Sequence, residues 1–298
     1  MKNILFFGGA SLLSNIWSEY WRDKFNIIIG VNKRLIKING TKTIQLPQIT
    51  YDVESIIHEN DIDLLINCAG LTGVEDCERE PNKAYELNGY LPGKLAQITS
   101  KNNVKLIHIS TDHLFNGRTP KSTENVKANP LNIYAKSKYI GEQEVLKYND
   151  KALVIRTNFF GNGPDYKFSF SDKIIDSLLN KQKLYLFDNV YYTPIHVHEL
   201  SDLTLQLLNK DAFGIYNICS NERITKYDFG VRIAKKLNLN HNLIVPIKIE
   251  EKKDLVVRPK DMSLDNEKLS IKIEKEIKSL DNQISELIKN SKIGFHAI

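Results

Sequence analysis

Ile4-Leu5-Phe6-Phe7-Gly8-Gly9-Ala10-Ser11-Leu12-Leu13-Ser14 decides how the chain is read: a short apolar run passes straight into a turn of small residues, and a helical pattern begins behind it. A dinucleotide-binding fold places its glycine-rich turn between its first strand and first helix, where a pyrophosphate can meet backbone N–H groups. Gly8, Ser11 and Leu12 suit that role, and an ordinary strand-to-helix turn would read the same way. A complete fingerprint would carry glycine where Ser11 and Ser14 stand. Serine is small enough for close packing but adopts positive φ at greater cost, so the turn reads as degraded.

Outward from this segment the pattern repeats. Apolar runs recur at Ile27–Val31, Leu64–Cys68, Leu106–Ile109 and Leu153–Ile155, with stretches of helical period such as Ala84–Lys101 and Tyr134–Tyr148 between them. Short apolar strands alternating with helices predict an α/β, Rossmann-like doubly wound fold around a parallel sheet buried on both faces. Phe159–Pro164 breaks the pattern, and the later runs Lys183–Phe187, Gly214–Ile218 and Ile244–Ile249 are less regular. The reading is a dinucleotide-binding domain over residues 1–160, regaining part of 187–218, and a smaller mixed α/β domain over 161–298 that contributes to a cleft. The Lys/Glu-rich tail from Lys268 to Lys292 reads as solvated helix.

Composition narrows the function classes. A chain of 298 residues suggests one large or two small domains. Its 41 basic against 36 acidic residues leave a net charge of +5. That balance, with no dense basic tract, is too mild for a protein that coats nucleic acid. A hydrophobic share of 42% excludes disorder. Cys68, Cys77 and Cys219 form no CxxC pair, so neither a disulfide framework nor a zinc knuckle is supported, and a reducing cytoplasm fits. No apolar run approaches the ~18–20 residues that span a bilayer, so no membrane segment is expected. Met1–Phe7 imitates a signal peptide, but Gly8-Gly9 interrupts it and no small-x-small cleavage site precedes Trp17, Glu19 and Arg22.

After the second predicted strand an NAD-preferring fold places a carboxylate for the ribose hydroxyls. This chain reads Val31-Asn32-Lys33-Arg34 instead. Lys33 and Arg34 offer two cations for a 2′-phosphate, which points to NADP. The plainer reading is a solvated loop charge pair.

Tyr134-Ala135-Lys136-Ser137-Lys138 carries YxxxK, a spacing that puts phenol and ammonium on one helix face. A nearby ammonium favours the phenolate and would lower the tyrosine pKa toward neutrality. The motif alone is weak, because Tyr20–Lys24 and Tyr90–Lys94 match it too. Context separates them. The run Leu106–Ile109 ends in Ser110-Thr111-Asp112, at the carboxyl end of a predicted parallel strand, where such folds bind ligands. Hydroxyl, phenol and ammonium together make a carbonyl-reducing site.

These segments resemble the extended short-chain dehydrogenase/reductase family, and within it the dTDP-4-dehydrorhamnose reductase group. The resemblance rests on Ile66-Asn67-Cys68-Ala69-Gly70, on Glu80-Pro81 through Asn88, on His108 to Gly117 and on Asn129-Pro130-Leu131-Asn132-Ile133-Tyr134 through Lys138. Gly141-Glu142, Val154 to Thr157, Arg258-Pro259 and Leu264-Asp265 extend it. It implies that Thr111 hydrogen-bonds a substrate carbonyl, that Tyr134 supplies the proton, and that Lys138 tunes Tyr134 and holds the nicotinamide ribose. Asn67, Cys68, Ala69 and Gly70 would line the cofactor channel, and Asp112, His113, Phe159 and Arg258 would face the substrate. NADPH would then reduce a 4-keto-6-deoxy nucleotide sugar for a surface polysaccharide, in the cytoplasm and with a homodimer allowed. His113 stands where the group often has tyrosine, and Asp188 to Pro194 lacks its usual glutamine-glycine pattern. Two other classes compete: an epimerase or dehydratase on the same fold, and a non-catalytic regulatory paralogue of the kind found in methionine adenosyltransferase.

Other residues invite stronger readings than they support. His196, His198 and Glu199 suggest a metal, but no third spatial ligand is signalled, so none is expected. Cys68 reads as a small buried hydrophobe, and Trp17, Tyr20 and Trp21 as packing on the first helix.

Overall fold

Alternate residues of the first strand face opposite ways, and each set finds a core. Ile4 and Phe6 join one buried cluster, with Trp17, Trp21 and Ile29, while Leu5 and Phe7 join another, with Val53, Ile57 and Leu95. The strand is therefore interior to a sheet covered by helices on both sides. The computed structural model describes residues 1–46 and 52–290. β1 (Asn3–Phe7), β2 (Asn26–Val31), β3 (Lys42–Gln45), β4 (Leu64–Asn67), β5 (Lys105–Ile109), β6 (Leu153–Arg156) and a strand at Gly214–Asn217 form one seven-stranded sheet. Every pairing in it is parallel. The spatial order is Gly214–Asn217, β6, β5, β4, β1, β2, β3, so the winding reverses between β1 and β4. The crevice beyond the carboxyl ends of those two strands is where a doubly wound sheet takes its ligand.

The five apolar runs before residue 160 become strands with ends within one residue of those read from the sequence. β3 had no apolar run to announce it; Lys42-Thr43-Ile44-Gln45 is a half-polar edge strand. The stretch Ala84–Lys101 is not one regular helix. Helix Pro81–Ala84 passes into a π-helical stretch at Tyr85–Tyr90 before the helix Leu91–Lys101. The wide turn brings Asn88 fully inside the protein.

Helix α1 (Leu12–Trp21) is fastened to helix Val197–Asn209. Trp17 Nε1 donates to the Val197 carbonyl at 2.9 Å, and Trp21 Nε1 donates to Ser201 Oγ at 2.6 Å. Both tryptophans are buried, as packing residues, but Tyr20 is exposed at the surface. A third apolar cluster gathers Phe160, Ile174, Leu186, Tyr192, Phe229 and Ile284, with three two-stranded ribbons around it. The tail corrects the sequence reading. Leu269, Ile273, Ile277, Leu280, Ile284 and Leu287 are buried, so helices Glu267–Ile273 and Leu280–Lys289 are amphipathic struts rather than solvated helix. The last two residues of that tail lie outside the described residues. Among the described residues, no helix is long and apolar enough to cross a membrane.

Candidate active site

At the carboxyl end of β1 a Cβ on Gly9 would lie 2.2 Å from Ile29 Cγ2, and Gly8 needs glycine on two grounds. Its φ is +90°, and a Cβ there would lie 2.6 Å from the Ala69 backbone nitrogen. Ser11 does not, with φ −71° and ψ 154°. It is the N-cap of α1, its Oγ accepting from the Ser14 N–H at 3.1 Å. Ser14 is fully buried. Neither Ser11 nor Ser14 has a positive φ, so both serines sit in the turn without backbone strain. Reading them as lost glycines assumed a positive φ that the backbone does not use.

The end of β4 is held by amides. Asn67 is buried, and its Oδ1 accepts from the Ala69 N–H at 3.1 Å. Asn88 fixes the next turn: its Oδ1 accepts from the Leu71 N–H, and its Nδ2 donates to the Leu71 carbonyl and to Ser137 Oγ. Ser137 sits on helix Ile133–Tyr148, which carries Tyr134 and Lys138. A Cβ on Gly141 would meet the Asn88 carbonyl oxygen at 2.1 Å, so glycine lets this helix approach the π-helical turn. Asn132 starts the helix as N-cap, its Oδ1 accepting from the Ala135 N–H at 2.9 Å.

Beyond β5, Ser110, Thr111 and Asp112 are all buried. Glu142 joins them to β6: it accepts Ser110 Oγ at 2.5 Å and two branches of the Arg156 guanidinium, the closest at 2.7 Å. The pair is almost wholly shielded from water, and breaking one partner would leave an uncompensated buried charge. Lys138 Nζ donates to the Ile109 carbonyl at 2.6 Å.

Burial governs the titration of this end. It pushes the Tyr134 phenol up to about 12, against a lowering hydrogen bond from Thr111 and with Asp112 adding to the rise. The ammonium of Lys138 does not lower it here, contrary to the expectation from the helical spacing. Burial brings Lys138 itself down to about 8. Burial also raises Asp112 to about 6, although Lys226 and the Asn158 amide, 2.7 Å from its Oδ2, favour the ion. His113 falls to about 3 through burial and the nearby Lys226 and Arg258 charges, and its ring meets the Tyr134 ring edge-on at 5.5 Å.

A cleft of about 340 Å³ unites most of the residues named from the sequence. Ser11, Leu12, Cys68, Ala69 and Gly70 line it together with Thr111, Asp112, His113, Tyr134, Lys138 and Phe159. Gly8, Asn67, Lys33, Arg34 and Arg258 do not line it. Lys33 and Arg34 are exposed beyond β2, and Arg258 is paired with Glu75. Cys68 is half-buried in the cleft wall rather than in the core, and burial pushes its thiol up to about 12, which argues against reactivity. Sequence reasoning missed Asn158, Lys167, Phe168 and Lys226. Lys226 sits 3.3 Å from the Tyr192 ring centre, yet nothing in Thr225-Lys226-Tyr227 distinguishes it from a surface lysine. His196 and His198 bring no ligand cluster with them: among the described residues, no group of three His, Cys, Asp or Glu side chains could hold a metal. His198 stacks on Tyr20 instead.

The family model of the RmlD substrate binding domain matches residues 2–293. The chain belongs to that family. A probable low-salt glycan biosynthesis reductase, Agl14, of Haloferax volcanii is 31% identical over 220 residues, covering 72% of this chain and 73% of that protein. Methionine adenosyltransferase 2 subunit beta of Rattus norvegicus is 30% identical over 277 residues, covering 90% of this chain and 81% of its own. A solved dTDP-4-dehydrorhamnose reductase of Bacillus anthracis, in complex with NADP, superposes with a TM-score of 0.87 at 23% identity, over 98% of this chain and 100% of that one. This last likeness shows the RmlD-type fold.

Proposed function

We propose that this RmlD-family protein is an NADPH-dependent oxidoreductase that reduces a 4-keto-6-deoxy nucleotide sugar for polysaccharide synthesis. The carrying observation is that one cleft joins a helix N-terminus behind the glycine turn to Thr111, Tyr134 and Lys138. The names of the glycan biosynthesis reductase and of the dehydrorhamnose reductase support the same substrate class.

The chain's residues fit the cofactor. The close approach of Gly8 to Ala69 leaves the first turn without side-chain bulk, and the capped start of α1 offers backbone N–H groups to a pyrophosphate. Ser11, Cys68, Ala69 and Gly70 would line its path, Lys33 and Arg34 would hold a 2′-phosphate, and Lys138 would hold the nicotinamide ribose. Bound NADPH supplies a hydride to the C4 carbonyl. Thr111 orients the keto oxygen by a hydrogen bond. Tyr134, kept protonated by burial, gives its phenolic proton to that oxygen as charge develops. The Thr111 hydrogen bond favours the phenolate left behind, and Lys138, whose charged form prevails at pH 7, would hold the nicotinamide ribose beside it. Asp112, His113, Phe159 and Arg258 would form the sugar-nucleotide side, within residues 161–298 and the loops that face them.

The unpaired cysteines suit a cytoplasmic enzyme, and a homodimer is the assembly we infer. The test is to incubate the protein with NADPH and a panel of dTDP-, GDP- and UDP-linked 4-keto sugars while following nicotinamide absorbance. Loss of absorbance with one of them is the expected result. The 90% coverage by the methionine adenosyltransferase subunit favours a second reading, a regulatory protein that kept the site. Saturable NADPH binding with no turnover on any sugar of the panel would favour it.

A further inference from the structure

Arg34 is exposed, yet it is not a free loop cation. Its guanidinium carbon lies 4.4 Å from the ring centre of Tyr166, a residue far along the chain between strand Phe159–Phe160 and helix Phe170–Leu179. Tyr166 is itself fastened. Its hydroxyl accepts from Asn15 Nδ2 at 2.7 Å and donates to the Ala10 carbonyl at 3.4 Å. Asn15 Nδ2 also donates to the Gly9 carbonyl at 3.0 Å. A loop from the far side of the cleft is thus tied to the glycine turn at the point where Arg34 rests on it. The residues that follow, Lys167 and Phe168, line the catalytic cleft.

We propose that Tyr166 is a cofactor-specificity residue: hydrogen-bonded to the glycine turn, its ring holds the Arg34 guanidinium in place for the 2′-phosphate of NADP(H). The inference rests on the cofactor reading above. An arginine side chain is rich in rotamers and loses that freedom when it grips a phosphate. A ring that already restricts it reduces the loss, and an exposed ring–guanidinium contact changes affinity about two- to fivefold. NADH carries no 2′-phosphate and would feel none of this. A loop that only held the fold together would affect both cofactors alike, so the ratio of affinities isolates the role.

The full chain is titrated with NADPH and with NADH by nicotinamide fluorescence, and with 2′,5′-ADP and 5′-AMP as competitors, for the unmutated protein, Tyr166→Leu and Tyr166→Phe. Tyr166→Leu should weaken NADPH and 2′,5′-ADP about two- to fivefold more than NADH and 5′-AMP. Tyr166→Phe keeps the ring but loses both hydroxyl bonds, and should lose part of the same selectivity. Equal weakening of all four ligands, or no change, overturns the proposal. Should Tyr166→Leu not fold, Tyr166→Phe decides, and an unaltered NADPH-to-NADH ratio overturns it. An unmutated protein that shows no preference for NADPH breaks the cofactor reading itself, whereas a preference that Tyr166 leaves untouched breaks this inference alone.

Discussion

The catalytic group in the cleft and the exposed cations beyond β2, at the two ends of the proposed cofactor path, handle charge in opposite ways. At the catalytic end, Thr111, Asp112 and Lys138 are nearly sealed from water, and burial dominates every shift there. At the adenosine end, Lys33 and Arg34 stand in solvent beyond β2. A buried charge without full compensation costs stability, while an exposed one costs little and does little until a ligand arrives. On the proposed roles, the catalytic end gives up stability for chemistry, and the adenosine end gives up almost nothing for choice of cofactor. Substitutions can break this contrast at either end.

The largest effect belongs to Tyr134→Phe. The change keeps the ring against His113 and removes the proton. General acid catalysis typically supplies about 10²–10⁴-fold in rate, so keto-sugar turnover should fall by that order while NADPH binding survives. Tyr20→Phe and Tyr90→Phe are the controls, because both tyrosines are exposed and neither lines the cleft. Near-normal reduction by Tyr134→Phe would place the proton elsewhere.

Asp112→Asn tests the stability cost directly. Unfolded, an aspartate releases its proton near its ordinary value of 3.8, whereas folded Asp112 keeps it to about 6. Between those values the folded protein holds the extra proton, so its stability falls as pH rises through that window and stays lower above it. The shift corresponds to about 3 kcal/mol at most, counted as 1.36 kcal/mol per pKa unit. Asparagine of the same shape should raise the melting temperature at pH 7.5, with the gain disappearing near pH 4. A destabilised variant at pH 7.5 would mean that the charge is better compensated than the Asn158 and Lys226 contacts allow.

How far the sequence reaches differs between the ends as well. The strands and the group Thr111, Tyr134 and Lys138 are legible because each depends on local pattern: apolar runs, a hydroxyl-bearing strand end, a helical spacing. Lys226 and Tyr166 are not, because each acts through a contact between segments far apart in the chain, and neither sits in a pattern of its own. The tail misled for a related reason. Its Lys and Glu residues outnumber the apolar ones, and only the spacing of Leu280, Ile284 and Leu287 shows that one face is buried. The tyrosine pKa misled because spacing on a helix says nothing of desolvation, which raises the phenol against the Thr111 hydrogen bond.

At the adenosine end the effects should be smaller and confined to the cofactor. Lys33→Ala with Arg34→Ala removes the cations assigned to the 2′-phosphate, each charge-assisted contact being worth roughly 1.5–3 kcal/mol. NADPH should weaken about tenfold or more, with NADH and the melting temperature hardly altered. The loss should also shrink as salt rises, since exposed charges are screened. Equal affinity for NADPH and NADH before mutation would remove the assignment.

The smallest effect is expected at Ser11, and it decides whether the glycine turn is impaired. Ser11→Gly restores the residue that a complete fingerprint carries. If serine were holding the backbone away from the pyrophosphate, the change should tighten NADPH binding severalfold. The backbone argues otherwise, because Ser11 already lies at φ −71° and its hydroxyl caps α1 by accepting from the Ser14 N–H. Glycine at an N-cap costs only a few tenths of a kcal/mol relative to serine. NADPH affinity should therefore stay within about twofold, while thermal stability drops slightly. A marked gain in affinity would show that the serine impairs the turn after all, and the difference between the two ends of the proposed cofactor path would then include a defect at the adenosine end rather than only a difference in exposure.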